Sequence, residues 1–160
     1  MKHIISYIII NMLVFFNSYS QNLSCFTLHK KSKPIKIYSD LKSSNCAMLV
    51  YPNKEENNAG RSLEIQDIGE KRFKIVIFGE YYFIDRGKVA CYTIQTDGIF
   101  IKKNPIDQSS NLYEITSPIL IKILEVKDNW VLTELKLRNK KIRGWINKEF
   151  LCDSPYTTCS

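Results

Sequence analysis

Short β-rich segments separated by turn residues are the feature that most limits what this chain can fold into. Isoleucine, valine and aromatic residues alternate with polar ones, and glycine, asparagine, aspartate or proline interrupts the runs. No window shows the three- and four-residue apolar spacing of an amphipathic helix over three turns. The clearest runs are 35–38, 63–68, 73–77, 119–126 and 130–135. The pattern predicts an all-β fold of small barrels or sandwiches.

The N-terminus indicates export. A short basic start precedes an apolar run of about thirteen residues, 4–16, and Ser18 and Ser20 place small residues at positions −3 and −1 of a cleavage site. A helix that spans a bilayer needs about 20 apolar residues. We therefore predict a cleaved signal peptide over residues 1–20, rather than a permanent anchor, and a periplasmic or secreted bacterial protein with no transmembrane anchor after processing.

A lipoprotein is the less favoured alternative. The segment Asn22-Leu23-Ser24-Cys25 loosely matches a lipobox, in which the cysteine becomes the lipidated first residue. However, Asn22 stands where an apolar residue is usual, and eight residues separate Cys25 from the apolar run. Anchoring at Cys25 is therefore the less favoured alternative.

Five cysteines follow the predicted cleavage site, and an oxidising compartment favours their pairing. Cys152 and Cys159 would close a short loop at the C-terminus, where a bridge restrains a tail that otherwise frays. Cys46 with Cys91 is the next expected pair, which leaves Cys25 free or acylated. The cysteine spacings contain no close Cys-x-x-Cys pair, so we expect neither a zinc site nor a cofactor.

Length and charge limit the function. Removing residues 1–20 from the 160-residue chain leaves 140 residues, which is one ordinary domain or two small ones. This remainder carries 22 lysines and arginines against 16 acids, a modest net charge of +6 that is spread along the chain. Neither a large catalytic domain nor a dedicated nucleic-acid-binding protein is expected.

The two halves of the chain contain the same features in the same order, about sixty residues apart. Each half has a first strand, a polar loop, a pair of alternating strands and an aromatic closing segment. After a lead-in, 21–33, the first unit covers 34–93 and the second covers 98–152, and a tail, 153–160, follows. Two similar units in tandem are the natural interpretation, with a single divergent β-domain as the alternative.

The second unit resembles the bacterial SH3-like (SH3b) domains. The matching elements are Lys103-Asn104-Pro105, the strand 121–126, Asp128-Asn129-Trp130-Val131, Gly144-Trp145-Ile146 and Phe150-Leu151. The first unit is similar to a degenerate copy, in which Phe73 replaces Trp130 and Tyr82-Phe83 replaces Gly144-Trp145. The resemblance implies two tandem small SH3-like β-barrels and a role in the cell wall or envelope.

Catalysis is not expected. His29 is the one histidine after the cleavage site and lies in a lysine-rich lead-in, while the acids Glu55 and Glu56 lie in a polar loop. We predict a non-catalytic binding protein whose partner is a cell-wall peptide or glycan, such as peptidoglycan, or an envelope protein. The alternative is an accessory or immunity-type protein that occupies one specific protein partner.

Four residues are candidate ligand contacts. Trp130 and Tyr113 offer aromatic faces that bind sugars and peptides. Lys141 and Arg143 belong to a basic hairpin, 136–143, that could meet an anionic partner, although a solvated hairpin tip explains the same charges. The residues predicted to be structural are Gly144, Phe83 and Trp145, the last of them in the barrel core.

Overall fold

The computed structural model describes residues 23–28, 33–51, 59–94 and 97–152, and within these ranges the protein is all-β. The strands are β1 (Leu23–Leu28), β2 (Ile35–Tyr38), β3 (Cys46–Val50), β4 (Ala59–Asp67), β5 (Arg72–Ile77), β6 (Glu80–Asp85), β7 (Val89–Thr93), β8 (Ile99–Lys102), β9 (Asn111–Ile115), β10 (Leu120–Lys127), β11 (Trp130–Lys136), β12 (Lys141–Asn147) and β13 (Leu151–Cys152). A 3₁₀ turn, Lys148–Phe150, precedes β13. The predicted all-β class is confirmed.

Burial alternates along the strands because successive side chains of a strand point to opposite faces of the sheet. In β12, Ile142, Gly144 and Ile146 are buried, whereas Lys141 and Arg143 are exposed. The same alternation is visible in β5 and β8. None of the described residues forms a helix with the length and hydropathy of a membrane span.

The order of hydrogen-bonded strands occurs twice. The first repeat has the order β3-β2-β6-β5-β4-β1-β7, and the second has β9-β8-β12-β11-β10-β7-β13. Every label in the second series is six higher, and β7 belongs to both, as the last strand of one repeat and the first strand of the next. Among the described strands neither series closes into a ring, and the strands that end the order are β3 and β9. The signal peptide predicted over residues 1–20 lies outside the described residues.

One hydrophobic cluster runs through both repeats. Its fully enclosed members include Ile37, Phe73, Ile84, Ile121, Val131 and Ile146. Because this cluster is continuous across β7, the two repeats share a core instead of burying two separate ones.

A disulfide joins Cys25 in β1 to Cys91 in β7, with 4.7 Å between their Cα atoms. The two strands pair antiparallel, with Phe26 opposite Ala90, so the cysteines face each other across the ladder. The predicted pairing of Cys46 with Cys91 is therefore wrong, because Cys46 lies in β3 and its thiol is exposed and free. A sulfur held in a disulfide cannot also carry a thioether-linked lipid, which argues against the lipoprotein alternative at Cys25.

The C-terminal cysteines were expected to bridge each other. Cys152 lies in β13 opposite Tyr92 and is disulfide-bonded. Its predicted partner, Cys159, lies outside the described residues, so their pairing stays a prediction.

An ion pair of the first repeat hydrogen-bonds to the second repeat. Both terminal nitrogens of Arg86 donate to the carboxylate of Asp67, whose side chain is 5% exposed. Arg86 Nη1 also donates to the carbonyl of Leu124 at 2.7 Å, and the main-chain N–H of Val126 donates to Asp67 at 2.7 Å. The end of β4 is thereby tied to β10 through charge-assisted hydrogen bonds, which are stronger than neutral ones.

Candidate functional site

The outward side of β11 and β12 carries most of the predicted ligand contacts. Residues directly opposite each other in an antiparallel pair share one face of the sheet. The outward pairs are Trp130 with Asn147, Leu132 with Trp145, Glu134 with Arg143, and Lys136 with Lys141. We call this surface, defined by Trp130, Leu132, Trp145, Arg143 and Lys141, the tryptophan face.

Trp145 is not in the core, contrary to the prediction. It is half-buried on the same side of β12 as Lys141 and Arg143, while its neighbours Gly144 and Ile146 are buried. The reason is the two-residue period of a strand, which sends Trp145 and Ile146 to opposite faces. Trp145 therefore belongs to the same face as Trp130, which is also half-buried.

Gly144 allows two strands to approach closely. A Cβ built on Gly144 would lie 2.5 Å from the carbonyl oxygen of Lys102 and 2.6 Å from the side chain of Ile101. Lys102 in β8 pairs with Trp145 in β12. The missing side chain thus lets β8 lie against β12 and brings Lys102 beside the tryptophan face.

Tyr113 lies elsewhere. It is in β9 opposite the buried Ile101, and its half-buried ring packs against the hydrophobic cluster. The structure therefore does not bring Tyr113 together with Trp130, although both were predicted to bind ligand. Nothing in the local sequence distinguishes the two aromatics, because the side of a strand that faces the core is set by tertiary packing.

The basic end of the tryptophan face holds uncompensated charge. Lys136 and Lys141 are exposed and directly opposite each other, a like-charge arrangement that destabilises a hairpin. Glu134, opposite Arg143, forms its ion pair with Lys122 at 3.5 Å. Among the described residues, Arg143 and Lys141 have no carboxylate within ion-pair distance, so their charges face solvent.

A cleft adjoins this face at the junction of the repeats. Its volume is about 560 Å³, and it lies between the turn after β4, the end of β10 and the side chain of Arg143. Its charged lining comprises Asp67, Glu70, Lys71, Arg86, Glu125, Lys127 and Arg143. Sequence reasoning missed this cleft, because its two main walls, 67–71 and 124–127, lie more than fifty residues apart along the chain.

The equivalent side of the first repeat is occupied by its own side chains. Arg72 Nε donates to Asp85 at 2.9 Å, and Arg72 Nη1 donates to the carbonyl of Ser43 at 2.9 Å. The guanidinium lies 3.4 Å from the centre of the Tyr38 ring. Burial, followed by the neighbouring carboxylate of Asp85, raises the pKa of the Tyr38 phenol. Phe83, predicted to be structural, is half-buried opposite Tyr38.

The strand registers show which residues of the repeats correspond. Arg72 pairs with Asp85 and Phe73 with Ile84, as Trp130 pairs with Asn147 and Val131 with Ile146. Since Phe73 and Val131 are both fully buried, Arg72 takes the place of Trp130. The assignment of Phe73 to that place was wrong by one residue, which in a strand exchanges the two faces.

No family model and no curated protein matches the chain. Among solved structures, NlpC1 from Trichomonas vaginalis is similar with a TM-score of 0.36 and 13% identity, over 84% of this chain and 46% of that one. NlpC2 from the same organism has a TM-score of 0.35 and 13% identity, over 86% of this chain and 50% of that one. The chain spans about half the length of these structures.

Among the described residues, no three His, Cys, Asp or Glu side chains cluster as metal ligands would.

Proposed function

We propose that this protein is an exported, non-catalytic binding protein built from two tandem SH3-like units, and that it recognises peptidoglycan or a cell-envelope peptide. The observation that carries this proposal is the tryptophan face. Trp130 and Trp145 are half-buried on one side of β11 and β12, next to a cleft that Arg143 lines.

The chemistry of the face suits such a ligand. A partly exposed indole offers a flat apolar surface for a sugar ring or a peptide side chain, and its partial burial holds it in position. Arg143 presents a planar guanidinium that can bind a carboxylate through two parallel hydrogen bonds. Wall peptides and glycans combine apolar ring faces with carboxylates, so one ligand could engage both groups.

The fold supports the same proposal indirectly. The repeated strand order agrees with two related units, and the second unit carries the Gly144-Trp145 pair of the SH3-like pattern. The first repeat fills the corresponding surface with the network around Arg72. The second repeat is therefore the unit proposed to bind ligand.

Retention on purified peptidoglycan tests the proposal. We expect the chain without residues 1–20 to be retained, and Trp130→Ala to weaken retention about tenfold or more, the size of effect seen at binding hot spots. Trp145→Ala should weaken it similarly and destabilise the fold by less than the 3 to 5 kcal/mol typical of a fully buried aromatic. Tyr51→Ala is the control, since Tyr51 is an exposed aromatic next to β3 in the first repeat.

Two results would contradict the proposal. One is a Trp130→Ala protein that melts like the parent and is retained equally well. The other is a parent that peptidoglycan does not retain but that co-purifies with one stoichiometric protein, which would instead favour the accessory or immunity-type function.

A further inference from the structure

The tip of the β5–β6 hairpin exposes three apolar side chains on the first repeat. Phe78 is 82% exposed, Tyr81 62% and Val76 38%. Val76 and Tyr81 are directly opposite each other, so they share one face of the hairpin, and Phe78 lies in the turn that joins the two strands. We call these three residues the apolar tip.

The turn itself is unusual. Phe78 has φ 54° and Gly79 has φ 82°, so both central residues of this two-residue turn are left-handed. Such turns favour Asn-Gly or Asp-Gly, because a bulky side chain is strained in the left-handed region. A phenylalanine here is unfavourable both for the backbone and for its hydration, because most of its side chain is exposed to solvent. This combination indicates a role in binding at the tip.

On the outward face of the hairpin, the charge nearest the apolar tip is basic. Lys74, on the same face as Val76, places its ammonium 3.5 Å from the centre of the Tyr81 ring. Glu80 pairs with Ile77, so it belongs to the opposite face, where it accepts a hydrogen bond from Tyr82 at 2.7 Å. The outward face of the hairpin itself therefore has an aromatic apex followed by tyrosine and lysine, and its acid is Asp85 at the far end, held by Arg72. In the neighbouring strand β4, Glu64 is exposed on the same side as Lys74.

We infer that the apolar tip inserts into the interface of an anionic phospholipid bilayer. The apex is convex and carries one fully apolar ring, which suits insertion between headgroups. Tyrosine and lysine follow at the depth where amphipathic side chains lie in membrane interfaces. The net charge of +6 that remains without residues 1–20 draws the chain to an anionic surface. This contact is independent of the tryptophan face.

Sedimentation with lipid vesicles tests the inference. The chain without residues 1–20 should bind vesicles of phosphatidylcholine with phosphatidylglycerol and bind phosphatidylcholine vesicles less. Phe78→Asn should lower the binding about tenfold or more, since burying one aromatic side chain contributes at least that factor. The same change should leave the melting temperature equal or higher, because asparagine tolerates a positive φ. Ile106→Asn is the matched control, as Ile106 is 54% exposed in the second repeat, and it should bind like the parent.

A second measurement does not depend on losing the side chain. In a Phe78→Trp protein, brominated lipids should quench fluorescence more strongly than in the parent, which contains only Trp130 and Trp145. The inference is overturned if the parent does not bind anionic vesicles, if Phe78→Asn binds them like the parent, or if Ile106→Asn loses as much. Loss of one stoichiometric protein partner in Phe78→Asn, with vesicle binding unchanged, would identify the tip as a protein contact instead.

Discussion

The β5–β6 hairpin of the first repeat and the β11–β12 hairpin of the second begin with the same pairing of buried apolar residues but carry different residues on their outward sides. Inward, Phe73 and Val131 are both fully buried. On the outward side, the guanidinium of Arg72 hydrogen-bonds to Asp85 and to the carbonyl of Ser43 in a neighbouring loop. At the equivalent place in the second repeat, the half-buried ring of Trp130 lies near a cleft and remains partly accessible to a ligand. Packing constrains the buried side of a strand far more than its exposed side, so the two repeats can keep one architecture and carry different surfaces.

The residue that follows the second strand of each hairpin also differs between the repeats: it is Arg86 in the first and Lys148 in the second. The main-chain N–H of Arg86 donates to the carbonyl of Lys71, and that of Lys148 donates to the carbonyl of Asn129, so the two occupy equivalent places. The guanidinium of Arg86 donates hydrogen bonds to the carboxylate of Asp67 and to the carbonyl of Leu124 in β10. Among the described residues, the ammonium of Lys148 is buried and has no hydrogen-bond partner. At these equivalent positions, the cation of the first repeat has hydrogen-bond acceptors, and among the described residues the cation of the second repeat has none.

The largest expected effect comes from the Asp67–Arg86 ion pair, whose two partners also hydrogen-bond to β10 of the second repeat. Asp67→Ala should lower the free energy of unfolding by about 3 to 5 kcal/mol, because it leaves Arg86 without its carboxylate in a partly buried place. Asp85→Ala is the matched change at the Arg72–Asp85 ion pair. Its side chain is 45% exposed, so its loss should cost about 1 kcal/mol or less. Urea unfolding measures both, and equal costs would show that Asp67 does not fasten the repeats.

The disulfide should come next. Replacing both Cys25 and Cys91 with serine should cost about 2 to 5 kcal/mol, since the bridge closes a sequence separation of 66 residues and holds β1 against the shared strand β7. Cys46→Ser should leave the urea midpoint unchanged, because that thiol is free and exposed. Unchanged stability of the double variant would mean that strand pairing alone holds β1 in place.

The two repeats differ at the position of Gly144, where the first repeat has Tyr82, and replacing Gly144 tests whether the second repeat requires a glycine there. Gly144→Ala should cost about 1 to 3 kcal/mol, because the new methyl group meets the carbonyl oxygen of Lys102. The new Cβ would also lie 2.9 Å from the side chain of Leu112, which is flexible. Shortening that side chain in Gly144→Ala/Leu112→Ala should not restore stability, since the main obstacle is the backbone carbonyl of Lys102. Recovery of the parental melting temperature in the double variant would show that the contact with Leu112 limits the space instead.

The smallest effect concerns Lys148 and pH. Burial lowers the pKa of the Lys148 ammonium in the folded state, so the unfolded chain binds more protons as the pH approaches 10.5 from below. The contribution of this residue to stability therefore rises with pH in that range. Lys148→Met should raise the melting temperature slightly at neutral pH and flatten its increase towards alkaline pH. Identical pH profiles for the parent and Lys148→Met would contradict this assignment.

Part of the candidate site was readable in the sequence. The aromatic Trp130 and the basic pair Lys141 and Arg143 were predicted as contacts, and the structure places them on one face. Trp145 was assigned to the core because a small β-fold needs large buried side chains. In the structure, the core is filled mainly by isoleucines and valines from both repeats. Trp145 therefore lies on the outward side of β12.

Local patterns in the sequence determined the all-β class, most strand positions and the order of features that the two repeats share. These depend on short-range alternation and on turn residues, which neighbouring positions specify. Only the tertiary structure decided the Cys25–Cys91 pairing, the Asp67–Arg86 ion pair, the cleft and the side of the sheet on which Trp145 lies. Each of these depends on strand register and on contacts across long stretches of chain, and a shift of one residue in register exchanges the two faces of a strand.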